Sequence, residues 1–230
     1  MIGCKAAENV QATPVRVPDV NDIKKVINVN TENENVTGEP VRDVKFSSSI
    51  EKGEGEVKLK YSITNTGTKD IYVLDAYPAV DMETRTASAD LKSFYLSFRE
   101  PSTAVVLRGI PPLPSMPVTV RIMPLGTKIE PGSAVSREVK IPLPMRERSD
   151  WYYTPLPPEE YSDRSVDKLV FRLQFIRSSV EGFEAKPAHY APEYFIVKGK
   201  NTVGQAETLT SEFQLEKTQI FVRKDIFPRI

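Results

Sequence analysis

The amino-acid sequence predicts an all-β protein, an antiparallel β-sandwich preceded by a flexible N-terminal arm, and three observations carry that prediction. Apolar and polar residues alternate through Val57-Lys58-Leu59-Lys60-Tyr61-Ser62-Ile63-Thr64, the period of a strand with one dry face. The 19 prolines gather between such runs, as at Pro111-Pro112-Leu113-Pro114, Pro142 and Pro144, and Pro155, Pro157 and Pro158. There a missing backbone donor interrupts no ladder. No region sustains the 3.6-residue period of an amphipathic helix.

Residues 1–40 lack periodicity, are rich in Asn, Glu and Val, and are punctuated by Pro14, Pro18 and Pro40. They read as a tether, within which Asp22 to Ile27 fits a short helix or an edge strand equally well. Residues 41–230 read as one sandwich domain, with a subdivision near 144–158 as the alternative. Val44-Lys45-Phe46 opens a strand that turns at Glu51-Lys52-Gly53-Glu54-Gly55 and pairs with the Val57 run. Asn65-Thr66-Gly67-Thr68-Lys69-Asp70 is a second turn. With the β-formers Ile71-Tyr72-Val73-Leu74 it predicts a hairpin from Glu56 to Asp75. Phe94, Leu96 and Phe98 alternate, as do Val118, Val120 and Ile122, each set marking a strand. After the turn Ile129-Glu130-Pro131-Gly132-Ser133, residues Val135, Arg137, Val139, Ile141 and Leu143 share one parity. Arg137, the one charge among them, is expected near the strand's exposed start. Leu169, Phe171, Leu173 and Phe175 alternate with Val170, Arg172, Gln174 and Ile176, and the apolar members of the second face predict a central strand or partial cover of that face. Tyr194 to Val197 and Phe213 to Val222 read as a last hairpin around a polar connection through Gly199, Asn201 and Gly204.

Composition removes several classes of function. Lys+Arg and Asp+Glu both total 31, so no net field draws nucleic acid or an anionic membrane. No apolar run approaches the roughly 20 residues of a spanning helix. One cysteine, Cys4, and one histidine, His189, leave no intrachain disulfide, no Cys-His dyad in the sandwich and no multi-histidine metal site. His189 reads as a loop residue, because Pro192 prevents a helix that would align it with Glu193. No Gly-x-Ser-x-Gly elbow surrounds any serine. Cofactors, metals and catalytic residues are accordingly not expected.

Three stretches retain functional content. Trp151-Tyr152-Tyr153, with Tyr161 as a neighbour, forms an aromatic group that plugs the end of a sandwich or stacks on a sugar or protein partner. Asp75, Asp81, Glu83 and Asp90 flank Ala76 to Val80 and are the acids on which a glycosidase reading would rest, or else solvated loop residues. They lack the Asp-x-Asp-x-Asp-Gly pattern of a calcium loop. Pro111 to Pro117 is a stiff loop or a polyproline segment for an aromatic groove.

Two resemblances extend this reading. Met1-Ile2-Gly3-Cys4 resembles the end of a bacterial lipoprotein signal, which implies that Cys4 is a lipid anchor and residues 5–40 its polar tether. That reading requires a charged and apolar segment upstream of Met1, and the alternative is an ordinary cysteine. The strand-Asn65-Thr66-Gly67-strand unit, followed by Ile129-Glu130-Pro131-Gly132-Ser133 and an alternating strand, resembles bacterial immunoglobulin-like domains. These include adhesion-type CARDB modules and the sandwich of the intracellular proteinase inhibitor family. The resemblance covers Val41 to Leu143 and implies an immunoglobulin-like sandwich that binds or scaffolds instead of catalysing. The expected function is a non-catalytic, envelope-associated lipoprotein that binds a protein or glycan through its loops, with membrane contact only through Cys4 and no nucleic-acid partner. A carbohydrate-active hydrolase or accessory domain is the alternative from another class, and a cytoplasmic inhibitor the alternative location.

Overall fold

The computed structural model describes residues 41–112, 123–148 and 157–224. The predicted arm, Cys4, the Val118 to Ile122 strand and Trp151-Tyr152-Tyr153 lie outside the described residues. The fold is an all-β sandwich whose strands are β1 (Val44–Lys52), β2 (Glu56–Asn65), β3 (Ile71–Val80), β4 (Ala87–Asp90), β5 (Tyr95–Arg99), β6 (Thr103–Arg108), β7 (Leu125–Ile129), β8 (Ala134–Pro142), β9 (Met145–Arg146), β10 (Tyr161–Arg177), β11 (Glu184–Ala188), β12 (Ala191–Lys198) and β13 (Glu207–Arg223). One short helix, α1 (Thr202–Gln205), precedes β13.

A three-stranded sheet in the order β1-β2-β8 packs on a ten-stranded sheet built along β11-β12-β7-β3-β10-β13-β9. The smaller sheet obeys the alternation of its sequence: Val57, Leu59, Tyr61 and Ile63 of β2 are buried, while Lys58, Lys60, Ser62 and Thr64 between them are not. Its β1–β2 hairpin has the expected turn, with Lys52 opposite Val57. Opposite it, Leu169, Phe171, Leu173 and Phe175 of β10 are fully buried in the same core. The second face of β10 and β3 is covered as well, since Tyr72, Leu74 and Ile176 pack with Val197 of β12 and with Phe183 and Phe195. That two-sided burial explains why both faces of β10 are apolar in sequence.

The larger sheet is mixed. β6 runs parallel to β10 and β9 runs parallel to β13, which the three strands between β6 and β10 make feasible as a long crossover. β10 follows the Pro144 to Pro158 stretch yet pairs with β3 and β6, which precede it.

Two predicted hairpins do not form. β2 pairs with β1 and β8, whereas β3 pairs with β7, β10 and β4, so Thr66 to Asp70 is an arch between sheets. The reason lies in β3, whose residues Ile71 to Tyr77 are all buried; such a strand needs cover on both sides and belongs inside the larger sheet. β12 likewise pairs with β11 and β7, while β13 lies along β10 from Tyr161↔Arg223 to Phe175↔Glu207. Two 17-residue strands satisfy far more backbone groups together than β13 would against the 8-residue β12.

The Ile129 to Ser133 turn is also an arch, from β7 in the large sheet to β8 in the small one, and it lies against the first. Asn65 joins them. Its Nδ2 donates to the carbonyls of Lys69 (2.8 Å) and Ile129 (2.9 Å), and its Oδ1 accepts from the Gly67 N–H at 3.0 Å. The backbone follows, with Asn65 N donating to Ser133 O and Gly132 N to Asn65 O. Gly132 holds φ +78°, a left-handed conformation that favours glycine. The two turns separated by 64 positions in sequence therefore form one corner of the sandwich.

Candidate functional site

Along the inner face of the small sheet, successive rungs alternate along the strands. Phe46, Ile63 and Val135 form one rung and Ile50, Leu59 and Val139 another; between them lies Ser48, Tyr61 and Arg137. This polar rung meets polar groups of the large sheet. Ser48 Oγ donates to Ser211 Oγ of β13 at 2.6 Å. The Tyr61 hydroxyl donates to Asp75 Oδ2 at 3.0 Å, Thr127 Oγ1 donates to Asp75 Oδ1 at 2.5 Å, and Arg137 Nε stands 3.6 Å from Asp75 Oδ2. Asp75 and Arg108 are both fully buried. Burial pushes the Tyr61 hydroxyl well above the ordinary tyrosine value and Asp75 pushes it the same way, against a smaller pull from Arg108 and Arg137. The phenol thus stays protonated and acts as a donor.

Arg108 is placed by a fork in the sheet. β10 holds β3 in register at Phe175↔Val73, so an extended ladder would set Asp75 opposite Leu173. That position belongs to β6, whose Arg108 is opposite Leu173. β3 therefore leaves β10, its Asp75 carbonyl is freed, and the Arg108 Nη2 donates to it. Arg108 shares the inward parity of Ala104 and Val106 and lies 5.9 Å from the Tyr61 ring centroid. Just beyond, the Tyr77 hydroxyl donates to Gly109 O at 2.8 Å and accepts from Gly109 N at 3.0 Å. A side chain at Gly109 would collide with Gln174, 2.4 Å from an added Cβ.

The outer face of the same three strands carries an open trough of about 480 Å³. Its floor is made by Ser47, Ser62 and Ser136, one continuous rung, and by Ser49 of the next, whose other members are Lys60 and Glu138. Ser136 Oγ donates to Ser62 Oγ at 3.0 Å, and Lys60 Nζ stands 3.6 Å from Glu51. Short serines between long charged side chains create the depression.

Asp75 does not join the other acids singled out in sequence, whereas Asp81 and Glu83 share one exposed turn. Asp75 is enclosed by Tyr61, Thr127 and Arg137, whereas Asp81 lies six residues further at the exposed β3–β4 turn, roughly 20 Å along an extended chain. There its Oδ1 accepts from the N–H groups of Thr84 and Glu83, which hold the carboxyl below its usual range. Asp90 is raised by partial burial, but the Ser93 hydroxyl and the Lys92 N–H outweigh this and leave it lowered. Glu83 is exposed. Arg137 lies in the less buried first part of β8, as its fourth residue, but it faces inward and is ion-paired with Asp75.

Tyr161 opens β10, and Arg146 of β9 lies between its ring (5.1 Å) and that of Phe221 (5.8 Å). His189 is exposed in the two-residue turn between β11 and β12, edge-on to Tyr190 at 4.8 Å. Among the described residues, no three His, Cys, Asp or Glu side chains gather as metal ligands, and no helix is long and apolar enough to cross a membrane. Arg108, Thr127 and Tyr61 were missing from the sequence-based set of functional residues. The available signal was a charged residue on an otherwise apolar parity, at Arg137 and again at Ala104-Val106-Arg108. Searches of protein-family models, curated proteins and solved structures find no match to the chain.

Proposed function

We propose that this chain is a non-catalytic binding protein whose ligand, a glycan or the polar surface of a protein, lies across β1, β2 and β8 in the serine-floored trough. The trough carries the reading: its serine hydroxyls, with the Lys60 amine, the Glu138 carboxylate and Arg137 at its border, supply donors and acceptors at the spacing of adjacent strands, about 4.8 Å. This moves the binding surface from the loops expected in sequence to a sheet face, and the rigid strands hold it without ordering cost. The separation of Asp75 from Asp81 argues against a glycosidase pair that uses Asp75, because paired-acid hydrolysis needs carboxyls within about 10 Å, and Asp81 accepts from the Glu83 N–H in one exposed turn, which supports the solvated-loop reading of those two. The Ile2-Gly3-Cys4 sequence supports attachment at the cell envelope through a lipid on Cys4.

Filling the trough tests the site. A glycan array and a panel of envelope proteins would identify ligands for the native chain, and the Ser136→Trp variant should bind them at least tenfold more weakly with an unchanged Tm. Unchanged affinity in that variant would sink the trough as the binding surface. Metabolic labelling with an alkynyl fatty acid tests the anchor, with label expected on the native chain and lost in Cys4→Ser.

A further inference from the structure

We propose that the fork between β3 and β6 is a binding site for one small inorganic monoanion of chloride or bromide size, held by Arg108 and Arg137 between the two sheets. The donors are present and unused. Arg108 is fully buried and its Nη2 is committed to the Asp75 carbonyl, yet its Nε and Nη1 have no hydrogen-bond partner among the described residues. Arg137 Nε is buried and in ion-pair range of Asp75 but makes no hydrogen bond. Asp75 does not complete them: its carboxylate accepts from Thr127 and Tyr61, and Arg137 Nε, at 3.6 Å from Oδ2, stands beyond hydrogen-bond distance.

Charge leads to the same conclusion. Among the described residues, Arg137 pairs with the Asp75 carboxylate and Arg108 bonds only the Asp75 carbonyl, which leaves one positive charge inside a low-dielectric layer, a costly arrangement without a counter-ion. Further groups near it among the described residues are Tyr194 of β12, whose phenol burial pushes up, and Glu193, which is exposed and therefore screened by water. One monoanion balances the count. Because Arg108 has no exposed surface, the anion must be compact, and the partly exposed Arg137 on edge strand β8 provides the way in.

The full chain, kept at constant ionic strength by exchanging sodium gluconate for sodium chloride or bromide, gives the test. Tm should rise saturably with halide, by about 5 °C once the ion exceeds its Kd roughly a hundredfold, and Arg108→Met should abolish the rise. A bromide-soaked crystal should show an anomalous peak within contact distance of the Arg108 and Arg137 guanidinium groups. If Arg108→Met does not fold, that peak in the native chain decides. A Tm independent of halide, an equal rise in Arg108→Met, or a map in which a carboxylate of this chain occupies the place of the ion would each overturn the proposal.

Discussion

Adjacent rungs of one sheet face follow opposite rules. Ile50, Leu59 and Val139 are nearly or fully buried and contribute through area removed from water, on the order of 2 kcal/mol per side chain. Ser48 and Tyr61, one rung along, are held by hydrogen bonds to Ser211 and Asp75, and Arg137 by an ion pair with Asp75. An apolar rung tolerates a small slide of one sheet over the other; a rung with hydroxyl and guanidinium partners tolerates much less. The comparison teaches that, in this sandwich, apolar rungs supply the bulk of cohesion while the polar rung sets how the two sheets align.

Mutations can break the comparison, and the largest effect is expected at Asp75. Asp75→Ala removes the acceptor shared by Tyr61 and Thr127 and the only anion opposite Arg108 and Arg137 among the described groups. Urea unfolding should show a loss of roughly 4 kcal/mol, as for one partner removed from a buried ion pair. A loss below about 1 kcal/mol would mean that the rung is energetically idle. Next comes Leu59→Ala in the neighbouring rung, expected to cost about 3 kcal/mol through the cavity it leaves, with sheet alignment unchanged by NMR.

Tyr61→Phe should cost about 2 kcal/mol at neutral pH through the lost bond to Asp75. It also separates the rungs by pH. The folded-state phenol is raised above the ordinary value of about 10, so its stabilisation is complete below pH 10. It is lost above that pH, where the unfolded chain gives up the proton first. Native stability should fall by about 1.4 kcal/mol per pH unit from this group above pH 10. The Phe variant should show a slope shallower by that amount, the remainder including Tyr72, Tyr190 and Tyr194, which burial also raises, and Lys128, raised by its bonds to Glu130 and Asp70. Equal slopes in the two proteins would place the phenol in a wet environment. The smallest change is Ser48→Ala, which leaves the Ser211 hydroxyl buried without its partner and should cost about 1 kcal/mol in the same unfolding assay.

Strand identity was legible where one side of a strand is dry and the other wet. The Val57 to Thr64 alternation became β2 with the predicted faces, and the β1–β2 hairpin formed at its glycine-containing turn. The two-sided apolar pattern of Leu169 to Ile176 became a central strand. Partner choice was not legible. Asn65-Thr66-Gly67 has the chemistry of a hairpin turn, but the same residues serve an arch when the next strand, Ile71 to Tyr77, is buried on both sides. The polar rung is half visible in the sequence, as Arg137 on an apolar parity. Its partner Asp75 comes from another sheet, and no local pattern announces that pairing.

By itself, the sequence determined the strands that have one dry face, β1, β2 and β8, and the apolar half of β10, with the parity that faces the core, because these depend on neighbours within a few residues; β4, β6, β7 and β11 carry no such local pattern. Only the tertiary structure decided that β2 and β3 belong to different sheets and that the arches after Asn65 and Ile129 share a corner. It alone brought Tyr61, Asp75, Arg108, Thr127 and Arg137 to one point. Those outcomes depend on the competition of strands for limited edges and on the need of each buried polar group for a partner, both properties of the assembled sheets.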